Sequence, residues 1–318
     1  MEPSSGASGC AKVILFGEHA VVYGQPALAA ALASGATAHR VERGTQGPTL
    51  EVPAWNVTAQ PGDGTRLGDA LEAIAGVIAQ HSGALPNAHL CLAFDVPVGA
   101  GLGSSAAMAV AIARAMLPGA SDDVVLQAAE ASERIFHGDP SGVDHTTSTL
   151  GGMLRFRRSA TPPFVPLDGV APLPVIVAQM EPGADTGVMV SGVRARLDQE
   201  PEVGTQLLEW MGLLTHHAET ALIQGDRLRL GRLMNLAHGA LVSLGVSTPA
   251  LDRGCHIARQ AGAYGAKLTG AGGGGCLIAL ASDTSQEAVV KALEEDGAMC
   301  VLATWAGVKR FGPSMDTP

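Results

Sequence analysis

A glycine-rich stretch from 97 to 107 carries the residues best suited to chemistry in this sequence. It reads Pro-Val-Gly-Ala-Gly-Leu-Gly-Ser-Ser-Ala-Ala and lies between a β-prone run and an alanine-rich run. Glycines let backbone N–H groups converge on an anion, and the helix that follows adds the positive end of its dipole. Ser104 and Ser105 can bind a phosphate oxygen or a hydrated Mg²⁺. The pattern predicts a phosphate site; the structural alternative is a capped glycine loop without a ligand.

Two acids and a lysine form the second candidate group. Glu133 and Asp144 flank a Gly-Asp-Pro-Ser-Gly turn, where one helix ends and another begins, so both carboxylates could reach one point. One could bind a metal ion while the other accepts a proton. Two acids on neighbouring helices more often lie on a solvent-exposed surface than in a functional site. Lys12 favours the functional interpretation, because a lysine in an apolar strand is costly unless a carboxylate or phosphate pairs with it.

Other motifs do not predict a known nucleotide or metal site. The loop lacks the Lys-Ser/Thr ending of a Walker A motif. Gly270, Gly272 and Gly275 match Gly-x-Gly-x-x-Gly, but a strand-like run follows them, so we interpret 267–276 as a strand, a glycine turn and a strand. No histidine cluster has the spacing of metal ligands, and no transition-metal site is predicted.

The elements that must position these residues follow from hydrophobic periodicity and capping signals. Strands are expected at 12–16, 90–98, 175–179, 265–269, 276–281 and 300–304. Helices are expected at 67–82, 106–117, 122–137 (capped by Ser121), 203–223, 226–243, 249–262 and 284–295. Repeated prolines between 155 and 174 exclude a helix or a central strand and predict a connection between two domains, 1–160 and 175–318. The pattern is α+β.

Composition and charge exclude several classes of protein. The 318 residues are 47% hydrophobic, which is enough for a large core, and the net charge of -10 argues against nucleic acid or an anionic membrane as a partner. No signal peptide and no run of the ~20 apolar residues that a membrane span needs is visible, so we expect a cytoplasmic protein. Five separated cysteines predict neither a zinc cage nor a disulfide framework.

Three stretches resemble, in order and at similar separation, the signature motifs of the GHMP kinases: 12–24 (KVILFGEHAVVYG), 97–107 (PVGAGLGSSAA) and 267–276 (KLTGAGGGGC). One motif would be weak evidence, but three together are specific. The full GEHAVVYG, the lead-in to DPSGVD and the segment 186–197 (TGVMVSGVRARL) resemble the branch of this family that phosphorylates mevalonate. The resemblance covers nearly the whole chain and implies two α+β domains with the active site in the cleft between them.

The resemblance also implies a role for each matched residue. Asp144 resembles the catalytic base, and Lys12 the cation that holds the substrate hydroxyl beside it. Ser105 and Glu133 resemble Mg²⁺ ligands. The residues expected near the acceptor are Lys12, Glu18, His19, Asp144, Thr186 and Gly272. Those expected at ATP are Trp55, Pro97, Gly99, Ala100, Gly101, Leu102, Gly103, Ser104, Ser105 and Ala106.

The implied activity is Mg²⁺-dependent transfer of the ATP γ-phosphoryl group to the 5-hydroxyl of mevalonate, in isoprenoid biosynthesis. A related kinase acting on phosphomevalonate or a sugar is an alternative, because acceptor choice lies in cleft residues that motifs do not fix. A silent nucleotide-binding regulator is another, which the presence of Lys12, Ser105, Glu133 and Asp144 argues against. A relative of homoserine kinase is disfavoured, since such members lack the Lys12–Asp144 pair. The oligomeric state stays open, with a homodimer as one option.

Overall fold

The computed structural model describes residues 6–41, 47–138 and 140–309, and eleven strands of this part form one sheet. The strands are β1 (Ala7–Phe16), β2 (Ala27–Val41), β3 (Thr49–Val52), β4 (Val57–Ala59), β5 (His89–Phe94), β6 (Met153–Phe156), β7 (Phe164–Pro166), β8 (Leu173–Glu181), β9 (Gly265–Leu268), β10 (Gly275–Leu280) and β11 (Cys300–Ala306). Their main order is β4-β3-β5-β2-β11-β8-β10-β9, while β1 and β6 pair with β2, and β7 pairs with β6.

Nine helices in the described residues pack on this sheet. They are α1 (Arg66–Ser82), α2 (Ser104–Met116), α3 (Asp122–His137), α4 (Val143–Leu150), α5 (Thr186–Gln199), α6 (Pro201–Gln224), α7 (Arg227–Ser243), α8 (Pro249–Gln260) and α9 (Gln286–Glu295). No helix within these described ranges is long and apolar enough to cross a membrane. The mixture of helices with a largely antiparallel sheet confirms the α+β prediction.

Helix α2 lies unusually close to the sheet. A Cβ built at Gly9 of β1 would lie 2.1 Å from the carbonyl oxygen of Ala107, so only glycine fits at that crossing. The residues of α2 from Ala106 to Ala113 are buried, and most are alanines, whose small side chains permit this approach. The sequence of α2 therefore fixes its N-terminus firmly against β1.

Local signals placed several helices correctly. Helix α3 spans 122–137 as predicted: the Ser121 hydroxyl accepts from the Val124 N–H at its start, and Gly138, with a φ of 70°, ends it. The segment 155–174 contains no helix, but the expectation that its prolines exclude a central strand is wrong, because β8, which lies between β11 and β10, begins at Leu173 and includes Pro174. The segment also contains the short strand β7, which pairs only with β6 among the described strands. Pro166 is tolerated there because an edge strand does not need every N–H as a donor.

The sequence patterns did not predict β2, β3, β4, β6, β7 or α5. Strand β2 is rich in alanine, a residue with low strand propensity, and it is held by pairing with β1, β5 and β6 along its length. Its Leu32 also pairs with Ala306 of β11, so the sheet continues from the first half of the chain into the second. The domain boundary between 160 and 175 stays a prediction.

Candidate active site

The phosphate loop, which we define as residues 97–106, connects β5 to α2. Gly99, Gly101 and Gly103 have φ values of 76°, 82° and 69°, a region that favours glycine. Between them, Ala100 and Leu102 are buried and anchor the loop in the core. The loop ends at the N-terminus of α2, where Gly103 is the capping residue and Ser104 and Ser105 form the first turn. Backbone N–H groups and the helix dipole thus favour an anion here.

Lys12 and Asp144 meet beside this loop. The Lys12 ammonium lies 2.8 Å from Asp144 Oδ1 and donates to the Gly101 carbonyl at 3.1 Å. Both side chains lie at Gly103, where an added Cβ would be 3.0 Å from Lys12 Cγ and 3.6 Å from Asp144 Oδ1. The structure therefore joins residues 132 positions apart in a carboxylate–ammonium pair at the start of α2.

The environment of the pair is asymmetric. The Lys12 side chain is 7% exposed, and burial lowers the pKa of Lys12 to about 8, against the opposing charges of Glu133 and Glu18. Asp144, in the first turn of α4, is 36% exposed. Since Lys12 is still mostly protonated near neutral pH, it can stabilise negative charge on an oxygen bound next to Asp144.

Ser105, in the first turn of α2, and Glu133, on α3, form the second group at this helix N-terminus. The Ser105 hydroxyl is 3.4 Å from His137 Nε2, and the same nitrogen is 3.9 Å from Glu133 Oε2. Glu133 is 1% exposed, and its Oε1 has no hydrogen-bond partner within the described residues. Burial raises the pKa of Glu133, while the Ser105 hydroxyl, His137 and Lys12 act against it.

His137 is a site residue that the sequence analysis missed. It lies one helical turn after Glu133 on α3, and this i, i+4 spacing was the available signal. In the described ranges, no group of three or more His, Cys, Asp or Glu side chains could hold a metal ion. The phosphate oxygens of a nucleotide and water could supply further ligands to a cation at Ser105 and Glu133.

The glycine platform, which we define as residues 270–275, faces the phosphate loop. A Cβ at Gly270 would lie 3.6 Å from the Gly101 carbonyl oxygen, and one at Gly275 would lie 3.5 Å from that of Ala100. Gly272, the predicted acceptor contact, is directed instead at Val246, whose carbonyl oxygen would be 2.2 Å from its Cβ. The platform therefore approaches the loop through Gly270 and Gly275.

Glu18 and His19, both predicted near the acceptor, are buried. The Glu18 carboxylate pairs with the ammonium of Lys267, and neither side chain is exposed by more than 1%. His19 Nε2 lies 2.8 Å from the Ala271 carbonyl oxygen of the platform, and burial lowers the pKa of His19. Oε1 of Glu18 is thus paired with another side chain, while Oε2 is buried without a hydrogen-bond partner among the described residues.

The two remaining predicted site residues are Trp55, which lies beside the end of β5, and Thr186, which begins α5. The ring of Trp55 is 41% exposed and stacks on Phe94, the last residue of β5, with 5.3 Å between ring centroids. Thr186 is exposed at the start of α5, directly after Asp185, which caps that helix. The platform reaches this helix start, since a Cβ at Gly273 would lie 2.8 Å from Ala184 Cβ.

The arrangement has the parts needed for phosphoryl transfer. It combines a backbone anion cradle, a carboxylate beside an ammonium, and a buried acid next to a serine hydroxyl at one helix N-terminus. Positioning and charge neutralisation supply most of the catalysis in such reactions, and residues of these types can provide both.

Comparisons with known proteins identify the family of this chain. Two family models match, "GHMP kinases N terminal domain" over residues 69–152 and "GHMP kinases C terminal" over residues 218–298. A protein of Thermococcus sibiricus named mevalonate kinase is 36% identical, over 93% of this chain and 94% of its own. One of Pyrococcus horikoshii with the same name is 38% identical, over 88% and 90%.

Solved structures show the same fold. The crystal structure of L. major mevalonate kinase in complex with R-mevalonate superposes with a TM-score of 0.80 at 30% identity, covering 95% of each chain. Relatives at this identity over nearly the full length share the family as well as the fold. The chain therefore belongs to the GHMP kinases, and within them to the mevalonate kinase family.

Proposed function

We propose that this protein transfers the γ-phosphoryl group of ATP to the 5-hydroxyl of mevalonate, forming 5-phosphomevalonate and ADP for isoprenoid biosynthesis. The observation that carries the proposal is the Lys12–Asp144 pair, whose charged atoms lie 2.8 Å apart at the N-terminus of α2. Relatives named mevalonate kinase supply the acceptor, since the pair itself would serve any alcohol.

On the acceptor side, Asp144 is the base and Lys12 the electrostatic partner. The acceptor O–H bond breaks as its proton passes to the Asp144 carboxylate, and the oxygen forms a bond to the γ-phosphorus. The Lys12 ammonium stabilises the negative charge that develops on this oxygen. The bond between the γ-phosphorus and its bridging oxygen breaks, and ADP leaves with that electron pair. Both groups are already in contact, so little reorganisation is needed.

On the nucleotide side, the phosphate loop holds the triphosphate. The glycines at 99, 101 and 103 carry no Cβ, so the backbone can approach phosphate oxygens closely. The N-terminus of α2 adds positive potential there. Trp55, stacked on Phe94 at the end of β5, offers an exposed aromatic face that suits an adenine ring.

The residues present fit a magnesium ion. Ser105 and Glu133 offer oxygen ligands, and Glu133 Oε1 is buried without a hydrogen-bond partner in the described part of the chain, which leaves it available for a cation. When bound, Mg²⁺ supplies charge neutralisation at the phosphate oxygens. Glu133 holds its carboxylate in place through α3, and Ser105 holds its hydroxyl through α2.

The test is ADP release by the purified protein with Mg²⁺ and ATP, with mevalonate in one reaction and phosphomevalonate, galactose, homoserine or no acceptor in the others. We expect ADP only with mevalonate, and we place this enzyme in the cytoplasm. Release with a different acceptor would keep the mechanism and overturn the substrate. Bound ATP without any release would favour a regulator. Sedimentation equilibrium of the same sample distinguishes a homodimer from a monomer.

A further inference from the structure

A buried ion pair that the mechanism does not use joins the first signature stretch to the third. The Glu18 carboxylate and the Lys267 ammonium are in contact although they are 249 residues apart in the chain. Lys267 also donates to the Leu268 carbonyl at 2.7 Å. Removing two charges from water carries a desolvation penalty that their attraction only partly offsets. Stabilisation of the fold is therefore not a sufficient explanation for such a pair.

Two further links lie beside the pair and connect the same two segments. The Thr269 hydroxyl accepts from the Ile14 N–H at 3.1 Å and donates to the Ile14 carbonyl at 3.0 Å. On the other side, His19 bonds the Ala271 carbonyl at 2.8 Å. The linking positions 267, 269 and 271 are alternate residues, the first in β9 and the other two just after it. The segment 14–19 is therefore joined at three points to residues 267–271, which lead from β9 into the glycine platform.

The segment that is held carries backbone strain. His19 has a φ of 60°, in the left-handed region that non-glycine residues rarely adopt. Such a conformation persists where the surroundings over-determine it, and it is often found at functional sites. Gly17, two residues earlier, has a φ of 92°, and an added Cβ there would lie 2.4 Å from the Pro26 carbonyl oxygen. The turn thus depends on external contacts for its geometry.

Both ends of this connection reach the reaction centre. Lys12, which pairs with Asp144, lies on β1 immediately before the held segment. The platform on the other side approaches the phosphate loop at Gly270 and Gly275. A shift between the two segments would therefore move Lys12 relative to the platform, and with it the space in which the acceptor hydroxyl must lie.

We propose that Glu18 and Lys267 are positioning residues, and that their buried contact holds β1 and its Lys12 in register with the glycine platform for attack by the acceptor. The choice of mevalonate as acceptor in the test rests on the proposed function. The pair acts through Lys12 and does not touch the substrate. The phosphate loop is also anchored in the core through Ala100 and Leu102, so we expect the pair to affect nucleotide binding much less than turnover of the acceptor.

The test compares Lys267→Met, Lys267→Arg and Glu18→Gln, together with the double variant Glu18→Gln/Lys267→Met. Misplacement by about 1 Å can cost about 100-fold in rate, so we expect Lys267→Met to lower kcat/KM for mevalonate by about 10- to 100-fold. The Kd for a non-hydrolysable ATP analogue, measured by calorimetry, should change less than about twofold. Lys267→Arg should keep a kcat/KM close to that of the wild type. The double variant should have a higher kcat/KM than Lys267→Met, because it leaves no buried unpaired carboxylate.

Leu293→Ala is the control for general destabilisation, because Leu293 is fully buried in α9 and belongs to the core. It should lower Tm and leave kcat/KM of the folded protein nearly unchanged. The proposal is overturned if Lys267→Met, like this control, leaves kcat/KM unchanged. It is also overturned if Lys267→Met weakens binding of the ATP analogue as much as it lowers kcat/KM for mevalonate, or if Lys267→Arg has as low a kcat/KM as Lys267→Met. Should Lys267→Met not fold, the isosteric Glu18→Gln decides: a smaller loss of kcat/KM is expected, and unchanged kcat/KM overturns the proposal.

Failure of the proposed function is recognised separately. If the wild-type protein binds the ATP analogue but does not phosphorylate mevalonate, mevalonate is not the acceptor. The role of the Glu18–Lys267 pair is then tested by hydrogen exchange. Amides of residues 14–19 and 267–271 should then exchange faster in Lys267→Met than in Leu293→Ala. Equal exchange in the two variants would overturn the pair's role.

Discussion

The titration of Lys12 is the prediction that follows most directly from the geometry of the pair. Burial lowers the pKa of Lys12 from 10.5 to about 8, and at 1.36 kcal/mol per pKa unit this means that folding disfavours the ammonium by about 3 kcal/mol. Between pH 8 and 10.5 the unfolded chain binds more protons than the folded one. This group alone therefore makes the free energy of unfolding rise with pH across that window.

The consequence for catalysis has the opposite direction. The mechanism needs Lys12 protonated, and a pKa of about 8 leaves roughly nine tenths of it charged at pH 7 and roughly a tenth at pH 9. In the free protein, activity that depends on Lys12 should fall as pH rises through about 8. Bound triphosphate adds negative charge nearby and should move the fall to higher pH.

The assay is ¹³C NMR of protein labelled at the lysine ε-carbons. The sequence contains four lysines, Lys12, Lys267, Lys291 and Lys309, so the spectrum is simple, and Lys12→Arg assigns the signal by its disappearance. We expect a midpoint near pH 8 in the free protein and a higher one with a bound ATP analogue. Asp144→Asn should move the midpoint below that of the wild type, because it removes the opposite charge 2.8 Å away.

A Lys12 signal that titrates near its ordinary value of 10.5 would refute the prediction, because it would mean that burial does not outweigh the carboxylates around Lys12. The prediction is also refuted if Asp144→Asn leaves the midpoint unchanged, which would mean that the two charges are not in contact. The Leu293→Ala variant serves as the control, since it alters the core without touching either charge.

Two further substitutions test the phosphate loop and the cation site. Glu133→Gln removes the negative charge of one of the two residues assigned to Mg²⁺, so the Mg²⁺ concentration for half-maximal activity should rise by about 10-fold or more. An unchanged Mg²⁺ requirement would exclude Glu133 as a ligand. Gly103→Ala places a methyl group 3.0 Å from Lys12 Cγ at a φ of 69°, so kcat should fall by about 10-fold or more; Gly76→Ala, on the open face of α1, is the matched control and should have little effect.

The sequence predicted the parts of the fold that depend on local signals. Helix α3 was predicted to the residue because Ser121 and Gly138 mark its ends, and the phosphate loop because its glycines alternate with apolar anchors. Helix α5 was missed because Val193 is its one fully buried residue, so hydrophobic periodicity is weak there. Its start depends on the Asp185 cap instead.

The parts that could not be predicted depend on distant partners. Strand β2 has the composition of a helix, and pairing on both sides makes it a strand. Glu18 was assigned to the acceptor because its neighbours resemble a substrate motif, whereas the structure pairs it with Lys267, on the far side of the sequence. No local pattern carries that information, since either charge alone would be expected at the surface.

The central claim is that Asp144 takes the proton of the acceptor during direct transfer from ATP, and single-turnover rapid quench with Asp144→Asn tests it most directly. Enzyme in excess over γ-labelled ATP is mixed with Mg²⁺ and mevalonate, and labelled phosphomevalonate is followed in time. We predict a rate about 100- to 10,000-fold below wild type, with the Kd for ATP nearly unchanged because the phosphate loop is intact. A near-normal rate of transfer would contradict the account.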